Sequence, residues 1–244
     1  NTTADANTAV GDNALAATTT GASNTAVGAE AGIANTTGHS NAALGKRALY
    51  ANTTGDSNTA IGKDALYANT TADNNTAVGA DALTANTTGT ANVAVGADAM
   101  LTGSTGSYNT GIGRAALYDL TTGASNTAVG MDCLMDVTTA NQTTAVGASA
   151  GDSITTGNGN TLIGYNTGQA ITTGGYNVVI GYSAASTQIS DGSNLLYIAR
   201  GNAAAGNADV WIYGTSAGAC KQGNNSSSWT TTSDRRLKKN IVNN

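Results

Sequence analysis

Apolar and polar positions alternate along this chain in a pattern that repeats every 17 residues. The motif Asn-Thr-Ala-Val-Gly, or a close variant, occurs in eleven copies without insertion or deletion between them. The copies start at Asn7, Asn24, Asn41, Asn58, Asn75, Asn92, Asn109, Asn126, Thr143, Asn160 and Asn177. We number the positions of each repeat 1–17 from this residue. A register kept this strictly predicts stacked copies of one structural unit.

A single glycine position and one Thr-Gly pair predict the two corners of each turn. Position 5 is glycine in every copy, from Gly11 to Gly181, and glycine adopts positive φ without strain. Positions 14 and 15 are usually Thr-Gly, as in Thr37-Gly38, and predict a second corner. Since 17 residues with two corners leave no room for a helix of normal length, we expect two short strands per turn, at about T-A-V-G and A-L-x-A.

The sequence therefore predicts an all-β fold, a parallel β-solenoid or β-roll of eleven 17-residue repeats. Turns stacked about 4.8 Å apart would form a rod roughly 50 Å long. Position 4 is always Val, Ile or Leu, and we expect this ladder to point into the coil. The alanine at position 3, such as Ala43, would then point outward, because adjacent strand residues face opposite sides. Positions 8 and 9, as in Ala48-Leu49, repeat this pattern.

Small outward residues would allow another chain to approach closely, so the pattern predicts self-association, and we expect a homotrimer. Whether the three chains lie side by side or interweave is left open. Position 12 also changes along the chain. It is Asn at Asn35, Asn52, Asn69 and Asn86, and becomes Leu120, Val137, Ile154 and Ile171. Stacked amides can hydrogen-bond from turn to turn, whereas an aliphatic ladder requires burial, so we expect the cross-section to change near residue 103.

Composition excludes several classes of protein. Pro and Phe are absent, and proline would interrupt stacked strands. The net charge of −5 gives no basic surface for nucleic acid, and no apolar run is long enough for membrane insertion. The chain lacks an initiator Met and a signal-like segment, so we expect it to be a fragment of a longer protein. Two cysteines, Cys133 and Cys220, are too few for a disulfide framework and are expected to be free or incidental.

The repeats offer little catalytic or metal-binding chemistry. His39, the only histidine, is expected to be a solvated turn residue. Asp64, Asp81 and Asp98 share position 7 and could form a Ca²⁺-binding carboxylate ladder. Other copies carry Asn, Glu, Arg or Ala there, which favours a solvated edge. We therefore predict no metal, no cofactor and no enzyme activity in the repeats.

These residues resemble the head repeats of trimeric autotransporter adhesins, and the Asn-Thr-Ala-Val-Gly arrays are similar to those of phage tail-fibre proteins. The segment 233–241, Ser-Asp-Arg-Arg-Leu-Lys-Lys-Asn-Ile, resembles the opening of the intramolecular chaperone domain of endosialidase-type tail spikes and fibres. That resemblance implies a chaperone that promotes trimer formation and then cuts itself off between Ser233 and Asp234. Ser233 would be the nucleophile and Lys238 its activating base, only with the missing remainder of that domain.

Three regions follow from this comparison. Residues 1–189 are the solenoid shaft, residues 190–232 a C-terminal β-region that closes it, and residues 233–244 the start of a truncated chaperone domain. Within the second region, segments 194–199 and 209–213 are predicted strands. The resemblance implies an extracellular phage tail fibre for host attachment, with a cell-surface glycan or protein as receptor.

Two alternatives remain open. One is a bacterial trimeric surface adhesin. The other, less favoured, is an ice-binding β-solenoid, because Thr ladders recur. Flat ice-binding faces need Thr at i and i+2, whereas the pairs here, such as Thr36-Thr37, are adjacent and point apart.

Overall fold

The computed structural model describes residues 5–186, 192–201, 210–214 and 220–222. These residues form fourteen strands and no helix, which confirms the all-β prediction. The strands are β1 (Thr8–Val10), β2 (Thr25–Val27), β3 (Ala42–Leu44), β4 (Thr59–Ile61), β5 (Thr76–Val78), β6 (Val93–Val95), β7 (Thr110–Ile112), β8 (Thr127–Val129), β9 (Thr144–Val146), β10 (Thr161–Ile163), β11 (Val178–Ile180), β12 (Leu196–Ala199), β13 (Val210–Gly214) and β14 (Cys220–Gln222).

The first eleven strands stack in sequence order, one per 17-residue repeat, as a parallel β-solenoid. Each residue pairs with the residue 17 places further on, as Ala9 pairs with Ala26, so identical positions form ladders along the rod. Between β11 and β12 the spacing becomes 18 residues, as Val178 pairs with Leu196, and β12–β13–β14 continue the same sheet with antiparallel pairing. The strands predicted within segments 194–199 and 209–213 are thus confirmed.

The glycine corner is confirmed. At position 5, φ lies between +126° and +143° in all eleven copies. A Cβ at Gly96 would lie 2.4 Å from the carbonyl oxygen of Gly113, the corner of the next turn. Both the backbone conformation and the close approach of the next turn therefore require glycine here. The Thr-Gly pair differs, because Gly38 has no positive φ; a Cβ there would lie 2.5 Å from Gly55 O, so glycine is needed for close approach alone.

The second predicted strand, A-L-x-A, is wrong. Positions 7 and 9 both adopt left-handed backbone conformations, as in Asp64 (φ 57°) and Leu66 (φ 52°), so this part of each turn is a series of tight turns. Its backbone is nevertheless paired between turns, since Leu49 N–H donates to Ala65 O at 2.9 Å and Ala51 N–H donates to Tyr67 O at 3.0 Å. Left-handed non-glycine residues are costly, so packing and these hydrogen bonds must stabilise them.

The predicted facing of the strand is also wrong. Position 3 points inward, and Ala26, Ala60 and Ala77 are fully buried, whereas the aliphatic residue at position 4 points outward. Positions 8 and 9, as in Ala48 and Leu49, are both buried, because the left-handed residue at position 9 interrupts the strand alternation. No outward alanine ladder exists at these positions in the described turns.

The reason lies in the volume of the coil. The side chain of position 9 fills the interior beside position 3, which leaves room there only for a small residue. The exceptions follow the same rule. Position 3 is Leu162 in the tenth turn, where the neighbouring position 9 residues are Gly151 and Gly168, and a Cβ on either would lie within 2.8 Å of Leu162. Gly111 at position 3 likewise lies beside Met100 at position 9. A large side chain at one of these two positions is thus accompanied by a small residue at the other, so that the interior stays filled.

Two ladders of buried asparagines stabilise the coil: the ladder at position 1 continues to Asn177 with Thr143 in the ninth turn, and the ladder at position 12 is confined to the N-terminal half. At position 1, Asn41 Nδ2 donates to Gly55 O at 2.8 Å, and its Oδ1 accepts from the Asn58 N–H at 2.9 Å. At position 12, amides bond directly from turn to turn, as Asn69 Nδ2 donates to Asn52 Oδ1 at 2.9 Å. The predicted amide ladder is confirmed, and it lies inside the coil.

At position 12 the chemistry changes at Gly103, as the sequence predicts, but the backbone does not. The strands keep their 17-residue register on both sides, and Leu120, Val137 and Ile154 are as completely buried as the asparagines they replace. Gly103 offers no side-chain donor, so Asn86 Oδ1 is buried without a hydrogen-bond partner. The amide ladder therefore ends there and an aliphatic ladder continues in the same place.

Candidate functional site

The outer face of the solenoid sheet is the first candidate site. Positions 2 and 4 share this face, since both lie opposite the buried position 3. The position 4 side chains Val10, Leu44 and Ile61 are 57%, 49% and 38% exposed. Later turns expose further members of the same ladder, namely Ile112, Val146 and Ile163. The position 4 residues of the other turns are half-buried, so an aliphatic ladder that is at least partly accessible follows this face and makes it a candidate interaction surface.

Position 2 of this face carries threonine in most turns. Residues Thr8, Thr25, Thr59, Thr76, Thr110, Thr127, Thr144 and Thr161 stand two residues before the aliphatic ladder. The outer face is therefore an array of Thr-x-aliphatic rungs on a parallel sheet. The adjacent pairs do point apart, since Thr36 Oγ1 donates to Thr53 O while Thr37 is exposed. The i, i+2 relation between positions 2 and 4 is visible in the motif and is the sequence signal that identifies this face.

A polar cluster on the third to fifth turns is the second candidate site. Arg47 contacts Asp64 with both Nε (2.7 Å to Oδ1) and Nη2 (2.8 Å to Oδ2), and Lys63 Nζ lies 2.7 Å from Asp64 Oδ2. Asp64 is only 5% exposed, so the expectation of a solvated edge at position 7 is wrong for this residue. Burial alone would raise the pKa of Asp64, but the hydrogen bonds from Lys63 and Arg47 outweigh it and hold that pKa below its ordinary value.

Two tyrosines lie beside this cluster. Tyr50 and Tyr67, both at position 10, stack with their ring centroids 4.8 Å apart and 12° between the ring planes. The guanidinium carbon of Arg47 lies 5.3 Å from the centroid of Tyr67. The ring stack and the cation–π contact between Arg47 and Tyr67 are both favourable interactions. The sequence signal for this stack is the occurrence of both tyrosines at the same position of successive repeats.

The remaining chemical groups are structural. Cys133 is a free, buried cysteine, as predicted, and burial raises its pKa to about 12, which leaves the thiol unreactive at neutral pH. His39 is exposed in the segment that leads to the next strand, and its Nδ1 accepts a hydrogen bond from the Ala22 N–H at 3.0 Å. No group of three His, Cys, Asp or Glu side chains in the described residues could hold a metal ion. These same residues include no helix with the length and apolarity to cross a bilayer.

The predicted cleavage site lies outside the described residues. This applies to Ser233, Asp234 and Lys238, and the side chain of Cys220 is likewise not described. The structure therefore neither brings Ser233 and Lys238 together nor separates them, and their roles stay predictions. The proposed boundaries of the regions 1–189, 190–232 and 233–244 stay predictions as well.

Comparison with known proteins assigns this chain to no family, so the chain is classified by its fold. No family model, no curated protein and no solved structure matches the chain. The protein is a parallel β-solenoid of eleven 17-residue turns with an exposed Thr-x-aliphatic face. Its function must be argued from the surfaces described above.

Proposed function

We propose that this chain is one subunit of a homotrimeric fibre, and specifically the shaft of a phage tail fibre that takes part in host attachment. The observation that carries the proposal is the position 4 ladder, whose aliphatic side chains are exposed in six turns and half-buried in the other five. Burying such a ladder against other copies would remove a continuous apolar stripe from water, at about 25 cal/mol per Å² of apolar surface.

Three copies that turn this face toward a common axis would cover it along their whole length. Each rung repeats every 17 residues, so identical ladders on three chains meet at every level of the fibre. The number three comes from the resemblance of the repeats to trimeric adhesin heads and tail fibres. This interface differs from the one expected from the sequence, since aliphatic and threonine side chains would form it in place of alanines.

The experiment is a mass measurement by light scattering on the parent chain and two variants. Ile112→Lys places a charge on the exposed ladder, whereas Thr122→Lys places the same charge on an exposed residue at position 14. We expect three chains for the parent and for Thr122→Lys, and a single chain for Ile112→Lys. Parent and variants are each produced together with the downstream domain to which the resemblance assigns trimer formation. A parent that is still monomeric would refute the fibre, and a trimeric Ile112→Lys variant would refute this face as its interface.

The proposed fibre assembles before it is cleaved at its C-terminal end. With its downstream chaperone domain, the chain would assemble as a trimer and then be cut between Ser233 and Asp234, with Lys238 as base. Identical turns invite register slips between chains, and a removable clamp would set the register. The fibre would act outside the cell, on the virion or, in the alternative, on a bacterial surface, and would meet a host glycan or protein receptor.

An ice-binding role is the second candidate, and the outer face favours it more than the adjacent threonine pairs did. Threonine at position 2 and an aliphatic residue at position 4 form a regular array with rungs about 4.8 Å apart. The same face cannot be buried in a trimer and exposed to ice, so the mass measurement separates the two. Thermal hysteresis from a monomeric parent, lost in Thr127→Lys, would establish the alternative.

A further inference from the structure

A groove opens where the tyrosine stack ends. Position 10 carries Tyr50 and Tyr67 in successive turns, but the next turn has Thr84 at this position. Tyr67 therefore has no aromatic partner in the next turn, whereas Tyr50 stacks on it from the preceding turn. The Arg47 guanidinium also lies over the Tyr67 ring, 5.3 Å from its centroid. A groove of about 270 Å³ lies at this place and is lined by Arg47, Asp64, Tyr67, Asp81 and Thr84. This volume is just below the range of about 300–1,000 Å³ that is typical of small-molecule sites.

The walls of the groove are fixed before any ligand arrives. Asp64 is buried and forms ion pairs with both Arg47 and Lys63, so these three side chains hold each other in place. Thr84 Oγ1 donates to the carbonyl oxygen of Asp81 at 2.7 Å, which fixes the hydroxyl on the floor of the groove. A site whose groups are already ordered loses little entropy when a ligand binds.

Asp81 is the group left for a ligand. Its side chain is 34% exposed, and the only contact of its carboxylate in the described residues is a long one, 3.5 Å from Oδ1 to Lys63 Nζ. The groove thus combines an aromatic face with a carboxylate that can accept hydrogen bonds from neighbouring hydroxyls. A pyranose ring presents the matching chemistry, because one face of the ring carries C–H groups and its rim carries hydroxyls.

Charge selects among the sugars. Arg47 and Lys63 balance Asp64 and Asp81, so the cluster has no net charge to attract an ion. An acidic sugar would meet a guanidinium already paired with Asp64, and it would be repelled by Asp81. A cationic group over Tyr67 would meet Arg47, which lies 5.3 Å from the ring centroid. We propose that the groove between Tyr67 and Thr84 binds one neutral pyranose ring of a glycan.

This site deepens the proposed attachment role, and its biological meaning rests on that role. One ring on one small groove gives weak binding, with a dissociation constant on the order of 1–10 mM. A homotrimer would carry three such sites, and simultaneous engagement of a glycan-coated surface raises the overall affinity without any new contact.

The test is saturation-transfer NMR on the whole chain with methyl glycosides of glucose, galactose, mannose and N-acetylglucosamine. Sialic acid and glucosamine serve as the charged comparisons. Thr84→Tyr would continue the stack and fill the groove while leaving Tyr67 in place, and Thr84→Ser keeps the groove open. Tyr67→Phe keeps the aromatic face. Tyr182→Ala removes a ring from the other tyrosine pair, Tyr165 and Tyr182, as a matched control.

We expect at least one neutral glycoside to bind to the parent, Tyr67→Phe, Thr84→Ser and Tyr182→Ala, and binding to Thr84→Tyr to weaken at least tenfold. Three results would overturn the proposal: no binding of any neutral glycoside to the parent, unchanged binding in Thr84→Tyr, or binding of the charged sugars alone. Thermal melting of each variant verifies its fold. A monomeric chain that binds sugar would refute the fibre and keep the site, whereas a trimer that binds none would refute the site alone.

Discussion

Replacing the corner glycine of the sixth turn gives the sharpest test of the solenoid geometry. Gly96 has φ +135°, and the Cβ of an alanine there would lie 2.4 Å from Gly113 O, 2.6 Å from Gly113 C and 3.0 Å from Arg114 N. All three are backbone atoms of the next turn, so no side-chain rotation can relieve the contact. The two turns would have to separate at this corner.

The cost has two parts. Holding a residue with a Cβ at this positive φ costs about 1–3 kcal/mol. Separating the turns also weakens the hydrogen bond from the Gly113 N–H to Val95 O, now 2.7 Å, and such a bond contributes about 0.5–1.5 kcal/mol. We therefore expect Gly96→Ala to destabilise this part of the rod by about 2–5 kcal/mol per chain.

The assay must be local, because repeat proteins can open a few turns at a time. Hydrogen–deuterium exchange of peptides from the sixth and seventh turns should accelerate about 30-fold or more, the factor that corresponds to about 2 kcal/mol. Gly103→Ala is the matched control. Gly103 has no positive φ, and its Cβ would come no closer than 3.2 Å to Met100 O, so we expect a change below about 1 kcal/mol.

Exchange in Gly96→Ala within threefold of both the parent and Gly103→Ala would refute the reasoning. It would mean that the corner can open or change its conformation at little cost. Exchange that rises equally in both variants would instead show that any added methyl group disturbs the coil, whatever its φ.

Three further predictions concern the interior and the C-terminal motif. Burial, followed by the nearby carboxylates of Asp119 and Asp152, raises the pKa of Asp136, so the folded chain favours the protonated form of this residue. Asp136→Asn should therefore raise the melting temperature at pH 7. Melting measured as a function of pH should show that this increase in melting temperature disappears below the ordinary carboxyl pKa near 4. Asn69→Leu should cost about 1–3 kcal/mol in urea denaturation, because it leaves the buried Oδ1 of Asn52 without its donor; an unchanged midpoint would contradict a structural role for the ladder. Ser233→Ala in the chain with its downstream domain should fold but remain uncut on a gel, and equal cleavage in parent and variant would exclude Ser233 as nucleophile.

Among the candidate surfaces, the sequence showed the components but not their association. Tyr50 and Tyr67 share a repeat position, and so do Asp64 and Asp81, all of which can be read from the register. Side-chain lengths across turns decide that Arg47 reaches the next turn to pair with the buried Asp64, and that Thr84 places no ring on Tyr67. Position 10 and position 7 are separate in the sequence, and only the turn geometry makes them neighbours.

The solenoid, its 17-residue register and its corner at Gly96 and the equivalent glycines can all be predicted from the sequence. A parallel ladder requires equal spacing in every turn, and a backbone with φ near +135° requires glycine, so both features are visible in one dimension. Which side of the strand faces inward, in contrast, depends on how the whole turn packs. The alternation of side chains along a strand places positions 3 and 4 on opposite sides. Which of the two faces the interior depends on the volume left inside the coil. The left-handed residue at position 9, such as Leu66, fills that volume, so alanine takes the inner place and the larger aliphatic residues are left outside.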